Sequence, residues 1–448
     1  MDFIARLARA IGIWLINKSS FPKVVIGYDC RFGGKMFAEN IAKVLAMTYI
    51  KVYFSSDTIT VGMLSNGIVE QNADLGIYLS AGIHSFEFNG VYLKDKDGKS
   101  LAEREIKNIA DLISEQNEID PDLLKIDRYK SSGLIVPVHL ENSYITKIQN
   151  LIPEKPVSSN LPYVFDIMHG ACSSVIKKLF PDAALINYQC NPGFNGIPPH
   201  PAEGNLAVLK SMVADNNHYK GGIAFDGAGE NLALIDEYGN YIEYNKMLVM
   251  ILYALARYDS PVSKVILGNP ITTAIDKLAA QFDFEVVRTA DDDASCMQQV
   301  KSKKGFVGAL NHQGIALGEN IPERDAVFIA YKLLIILEKH ELTFHELLKQ
   351  ALNITGDFSY DQTALKINKT DLRNFKKQVE DNLIQSLGKY EVKKTEVFNG
   401  YRFLIDDKKW VLLRPSAKKM MMHFYVQAEN YEQVKELIRE TYRLFMAK

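Results

Sequence analysis

Polar side chains able to do chemistry gather in a few short stretches of this chain, each flanked by apolar runs. Ser80-Ala81-Gly82-Ile83-His84-Ser85-Phe86-Glu87-Phe88-Asn89-Gly90 separates an apolar run at 73–79 from another at 90–94, and reads as a loop between two strands. Asp226-Gly227-Ala228-Gly229-Glu230-Asn231 places two carboxylates in a glycine-rich turn. Mg²⁺ takes a near-octahedral set of oxygens, so two carboxylates alone would hold it weakly, and the stretch reads as an acidic turn. Asp291-Asp292-Asp293 is a run of consecutive acids, which seldom converge on one ion; it reads as a solvated loop that repels phosphate. Asn311, His312 and Gln313 can all hydrogen-bond a polar ligand, but no Ser or Asp partner for His312 is legible as a triad. Arg414-Pro415-Ser416-Ala417-Lys418-Lys419 combines cations and a hydroxyl suited to an anion, unless Arg414 pairs with a neighbouring acid.

Strand and helix patterns alternate around these stretches. A β-branched run at 24–28 precedes a helical pattern at 35–47, with Phe37, Ile41, Val44 and Leu45 on one face. A strand at 51–54 and a helix at 63–71 follow, leading into the strand that ends before Ser80. The same pattern restarts at 162–166 and at 264–268, each time after a proline-bearing or polar join. Such alternation predicts βαβ units around mostly parallel sheets. From about residue 371 the pattern changes to helix, then strands at 401–405, 410–413 and 423–427, then a helix from 431 onward, which suggests a small α+β domain.

A chain of 448 residues is long enough for about three domains. Its 47% hydrophobic and 24% charged residues are those of an ordinary globular protein. A net charge of −2 makes no electrostatic case for nucleic acid or an anionic membrane as partner. Cys30, Cys172, Cys190 and Cys296 lack any short metal spacing and fit reduced thiols in a cytoplasmic protein. Residues 1–17 fit an amphipathic helix rather than a signal peptide, and no apolar stretch reaches the length of a membrane span.

Several stretches, taken in order, resemble the α-D-phosphohexomutases, the phosphoglucomutase and phosphomannomutase superfamily. Residues 80–90 resemble its Thr-Ala-Ser-His-Asn-Pro-x-x-Tyr-Asn-Gly loop. Tyr28-Asp29-Cys30-Arg31 is similar to an early Tyr-Asp-Thr-Arg, and Asp166-Ile167-Met168-His169-Gly170-Ala171 to Asp-Pro-Met-His-Gly-Ala. Residues 222–227 look like the opening of the metal loop, Ile321-Pro322-Glu323-Arg324-Asp325 like the stretch after the sugar loop, and Arg414-Pro415-Ser416 like the start of the phosphate loop. The resemblance implies three tandem three-layer α/β domains with mixed sheets plus a C-terminal α+β domain. The units expected are 1–137, 138–257, 258–366 and 367–448, the first without the family's opening strand.

By the same resemblance the phosphorylated Ser is replaced by Gly82 and the His after it by Ile83, the general base by Ala294, and the middle metal ligand by Ala228. Mg²⁺, which the family uses, is therefore not expected, with Asp226 and Glu230 as residual ligands. Asn311 and His312 remain in the sugar loop, and Arg414, Ser416 and Lys418 in the phosphate loop. A glycine has no atom on which to hold a phosphate. The expectation is a catalytically inactive relative that works by binding a protein partner, such as an active paralogue, or by binding a sugar phosphate or other anion weakly. The alternative is an enzyme of the same fold with altered chemistry, using Asp226, Glu230 or His312.

Overall fold

The first three sheets repeat one strand order, and that order decides where the polar loops fall. The computed structural model describes residues 2–114, 120–154, 162–293, 295–416 and 420–446. In the first sheet Lys23–Tyr28 lies between Lys51–Ser55 and Leu75–Leu79, all parallel, and Val91–Asp95 pairs antiparallel with Leu75–Leu79. Ile135–Val138 extends that sheet beyond Lys51–Ser55. The second sheet sets Tyr163–Asp166 between Ala184–Ile186 and Gly221–Phe225, with Leu232–Ile235 antiparallel to the last. The third sets Lys264–Gly268 between Glu285–Thr289 and Phe306–Leu310, with Gly314–Leu317 antiparallel. In each sheet the hairpin joining the last parallel strand to its antiparallel neighbour carries a polar stretch: 80–90, 226–231 and 311–313. Ligand crevices form outside the carboxyl ends of parallel strands, so this topology aims all three at a common region.

The central parallel strands Lys23–Tyr28, Tyr163–Asp166 and Lys264–Gly268 are buried on both faces, as βαβ crossovers require. Along Lys23–Tyr28, Val24 and Ile26 join one apolar cluster with the helices Asp2–Ile16 and Gly34–Met47. Val25 points the other way, into a cluster with Val61–Glu70 and Leu140–Leu151. That second cluster is continuous through Phe165, Leu248, Ile275 and Leu334 to Trp410, so the successive units share a core. Its spine is the helix Ala326–Lys339, buried along nearly its whole length, whose one central cation, Lys332, is neutralised by Glu319 and Asp259. Asp325 caps this helix by accepting from the Phe328 amide, and also accepts from the hydroxyl of Tyr144, on the helix Leu140–Leu151, at 2.8 Å. A Cβ on Gly62 would stand 2.5 Å from the Asp325 carboxylate, so only glycine lets the helix Val61–Glu70 approach that cap.

The fourth sheet is antiparallel throughout, in the order Ser359–Lys366, Met421–Ala428, Trp410–Ser416, Tyr401–Leu404 and Lys394–Val397. Several α/β units followed by a sheet-rich C-terminal one are thus the observed architecture. Ser359–Lys366 pairs with Met421–Ala428 along its whole length, so residues 359–366 belong to the fourth sheet and not to a third unit ending at 366. The expectation of reduced thiols is also corrected. Cys30 and Cys190, 160 residues apart, form a disulfide between the first two units, while Cys172 and Cys296 are free and buried. That pairing depends on which loops the fold brings together, and spacing along the chain carries no sign of it. Among the described residues no helix is long and apolar enough to cross a membrane.

Candidate active site

The loop after Leu75–Leu79 is held from below by two buried charges. Asp29 accepts from the Ser80 hydroxyl at 2.6 Å and from the Arg31 amide and Nε at 3.0 and 3.1 Å. Arg31 then spreads its guanidinium across four carbonyls of the loop, those of Gly82, His84, Ser85 and Phe88, at 2.6 to 3.1 Å. Burial pushes the Asp29 acid up to about 6 even though Arg31 opposes it. Gly82 sits at φ +53, and a Cβ there would come no nearer than 3.4 Å to Tyr92 Oη and 3.8 Å to Glu230 Oε2. The position expected to bear the nucleophile therefore does look into the cleft, and it leaves room there.

The second loop is held from within. Asp226 Oδ1 accepts from the amides of Ala228 and Glu230, and Oδ2 from Asn231 Nδ2 at 2.6 Å. Gly229 takes φ +73 where its absent Cβ would clash with Cys172 Sγ. The turn thereby places Glu230 in the cleft, buried, with Oε2 3.6 Å from Arg324 Nη1 and Oε1 without a hydrogen-bond partner among the described residues. Burial pushes the Glu230 acid up to about 7, against the pull of Arg324 and Lys94.

Arg324 ties the second and third loops together. Its Nε donates to Glu323, its Nη1 to the Gln313 carbonyl at 3.1 Å, and its Nη2 to Asp293 at 3.2 Å. Lys94, also fully buried, neutralises Glu323 from the far side, and that pairing holds the Glu323 acid down at about 2 although burial opposes it. In the third loop Asn311 donates to Gln362 at 2.8 Å and accepts from the Tyr360 hydroxyl. His312, at φ +53, stacks 4.8 Å from the Tyr244 ring, and burial pushes its imidazole down to about 4.

These groups line one cavity of about 650 Å³ to which all four sheets contribute: Gly82 and Tyr92, Glu230 and Asn231, Arg324 and His312, Thr363 and Tyr425. Of the residues singled out from sequence, Gly82, Glu230, Asn311 and His312 meet there. Asp226 and Ala228 are buried inside the turn and are absorbed in shaping it. The acidic run is not the solvated loop expected: Asp291 is buried, holding the Asn311 amide and Arg414, and Asp293 pairs with Arg324. Arg414 is drawn to Asp291 at 3.3 Å, the acid pairing left open above, and Ser416 lies in a strand opposite Met421. Ala294 and Lys418 fall outside the described residues. The sequence reading missed Arg324 and His200 as site residues; Arg324 had served only as a landmark, and neither lies near its cleft partners along the chain.

Residues 1–120 match the phosphoglucomutase/phosphomannomutase alpha/beta/alpha domain I family, and residues 142–239 match its domain II. The chain belongs to the α-D-phosphohexomutase superfamily. It is 26% identical to phosphoglucosamine mutase of Methanococcus maripaludis (strain C5), over 95% of this chain and 92% of that one. A putative phosphomannomutase from Thermus thermophilus superposes with a TM-score of 0.82 at 23% identity, covering 100% of this chain and 95% of its own. Aspergillus fumigatus N-acetylphosphoglucosamine mutase, solved in complex with GlcNAc-6P and magnesium, superposes with a TM-score of 0.57 at 11% identity, over 86% of this chain and 92% of its own. Similarity to a named mutase along almost the whole chain overturns the expectation of an inactive protein and favours the alternative, an enzyme of this fold. The inactive reading equated loss of the family's nucleophile, general base and middle metal ligand with loss of chemistry, although the cavity is furnished with other groups able to carry charge and protons.

Proposed function

We propose that this chain is a phosphohexomutase-type intramolecular phosphotransferase, acting on a phosphorylated hexose in the cavity with chemistry altered from the serine-based reaction. The observation that carries this reading is the Glu230–Arg324 pair, which puts an acid of about 7 beside a fixed guanidinium, 3.8 Å from where a residue-82 side chain would begin. Phosphoryl transfer needs little from a protein beyond positioning, charge neutralisation and a proton carrier. Arg324 offers planar N–H donors for phosphoryl oxygens. Glu230, poised near neutrality, can protonate a departing alkoxide and take the proton from an attacking hydroxyl. Asn231, Asn311 and Gln362 supply donors and acceptors for sugar hydroxyls.

The residues present do not fit the family's Mg²⁺. Both Asp226 oxygens are already engaged by three N–H donors, Ala228 offers no ligand, and Glu230 faces a guanidinium at 3.6 Å. Mg²⁺ would have to displace these donors and share Glu230 with a fixed positive charge. The names of the similar proteins favour an amino sugar phosphate among hexose phosphates.

The test is ³¹P NMR of the purified chain with glucosamine 6-phosphate, glucose 6-phosphate or mannose 6-phosphate, primed with a hexose 1,6-bisphosphate. Conversion to the 1-phosphate is expected with at least one of them, and it should persist in excess EDTA. No conversion of any of the three, with or without Mg²⁺, would overturn the proposal.

A further inference from the structure

With glycine at position 82, the cleft must draw its phosphoryl acceptor from another element. We propose that His200 is that acceptor and becomes a phosphohistidine during the reaction; this rests on the phosphotransferase reading above. The other candidates lining the cavity are each committed elsewhere. Burial holds the Tyr92 hydroxyl firmly protonated, and Thr363 Oγ1 is hydrogen-bonded to Tyr442 at 2.9 Å. His312 is buried against Tyr244, and His84 lies exposed against Phe88 on the clamped loop. His423 lies on the fourth sheet, stacked against Tyr425.

His200 differs on each count. It is half-buried and lines both this cavity and the adjoining one of about 280 Å³. Among the described residues no hydrogen bond ties either of its ring nitrogens. Its backbone is fixed: the carbonyl accepts from Asn205 Nδ2 and the Ala202 amide, and its own amide donates to Pro198. The preceding Pro199 packs on the second loop at Gly227, which itself adjoins the Gly82 carbonyl. A Cβ on Gly227 would stand 3.0 Å from the Pro199 ring and 3.3 Å from the Gly82 carbonyl oxygen. The turn bearing His200 thus packs on the loop that adjoins Gly82, His200 and Gly82 line the same cavity, and the missing side chain at position 82 leaves room there for a phosphoryl group. Burial lowers the basicity of the His200 imidazole, with Asp226 opposing and His84 adding to the effect, so a nitrogen lone pair is available near neutrality.

The step balances without any further reagent. A ring nitrogen of His200 attacks phosphorus of a hexose bisphosphate, the P–O ester bond breaks, and the departing alkoxide takes the proton from Glu230. In return, a hydroxyl of the hexose monophosphate attacks the phosphohistidine, the P–N bond breaks, and the hydroxyl proton goes to Glu230.

The experiment is incubation of the full chain with ³²P-labelled hexose 1,6-bisphosphate, an alkaline quench and peptide mapping by mass spectrometry. Phosphohistidine survives alkali and is lost in acid, which separates it from phosphoserine. Label is expected on His200, and His200→Gln should lose it while isomerisation falls at least about 1,000-fold. Hexose-phosphate binding and the melting temperature of that variant, read by calorimetry, should stay near those of the parent, showing that chemistry rather than fold was lost. Isomerisation with label on Ser80, Ser85 or another residue, or undiminished in His200→Gln, overturns the assignment and leaves the mutase reading standing. Label on His200 without isomerisation upholds the acceptor and removes the mutase reading. Neither label nor isomerisation overturns both.

Discussion

The first and second hairpin loops occupy equivalent places in equivalent sheets, yet they are held in opposite ways. Residues 80–90 are clamped from outside, by an arginine from a neighbouring loop that gathers four of their carbonyls. Residues 226–231 are held by their own first residue, Asp226, which accepts from the amides two and four positions on. An outside clamp is indifferent to which side chains the loop carries, so the first loop keeps its shape with glycine at 82. In the second, the carboxylate that shapes the turn cannot also serve chemistry, and Glu230 at the far end of the turn is the group left facing the cavity. The comparison teaches that a polar residue in an active-site loop is claimed first by the backbone it must satisfy.

Breaking the outside clamp should have the largest effect. Arg31→Met leaves Asp29 as a buried, unpaired charge and frees the loop carbonyls, so destabilisation of about 3–5 kcal/mol is expected by urea unfolding. A change below about 1 kcal/mol would show that the clamp does not hold the loop.

Next comes the group that the second loop leaves free. Glu230→Gln should lower isomerisation by about 10²–10⁴-fold with little loss of fold. It also has a pH signature. Glu230 is raised from its ordinary 4.5 to about 7 by burial, against Arg324 and Lys94 and with Asp226 and Glu323 adding to the rise. Between those values the folded chain keeps a proton that the unfolded chain has released, so the Glu230 contribution to stability declines as pH rises through that window. The glutamine variant, which cannot titrate, should show a shallower decline in thermal melts taken from pH 4.5 to 7.5. A parallel pair of curves would refute the raised acid.

The smallest effect is expected where the sequence looked most damaged. Gly82→Ser puts a side chain at φ +53, costing about 1 kcal/mol of stability in a melt. Its hydroxyl should change isomerisation less than tenfold, since acceptor and proton carrier lie elsewhere. A large gain in rate would mean that the first loop still awaits its serine and would return the chemistry to the clamped hairpin.

Much of the framework was legible in the residues. The β-branched run at 24–28, the helix at 35–47 and the C-terminal strands fall within a few residues of the observed elements, because periodicity reports local burial directly. The hairpin loops were legible too, as polar stretches between apolar runs. The fate of each polar side chain was not. Asp291 and Asp293 read as solvated and are instead bound to Asn311, Arg414 and Arg324.

By itself, the sequence determined the order of strands and helices, the superfamily they spell out, and a glycine at position 82. These are properties of neighbouring residues, written in spacing and side-chain type. Tertiary structure alone decided that Cys30 meets Cys190, that Arg324 reaches Glu230, and that His200 and Gly82 line one cavity. Each of those meetings joins units separated by long stretches of chain. Their energies depend on burial and distance in the folded molecule, which no local pattern of residues records.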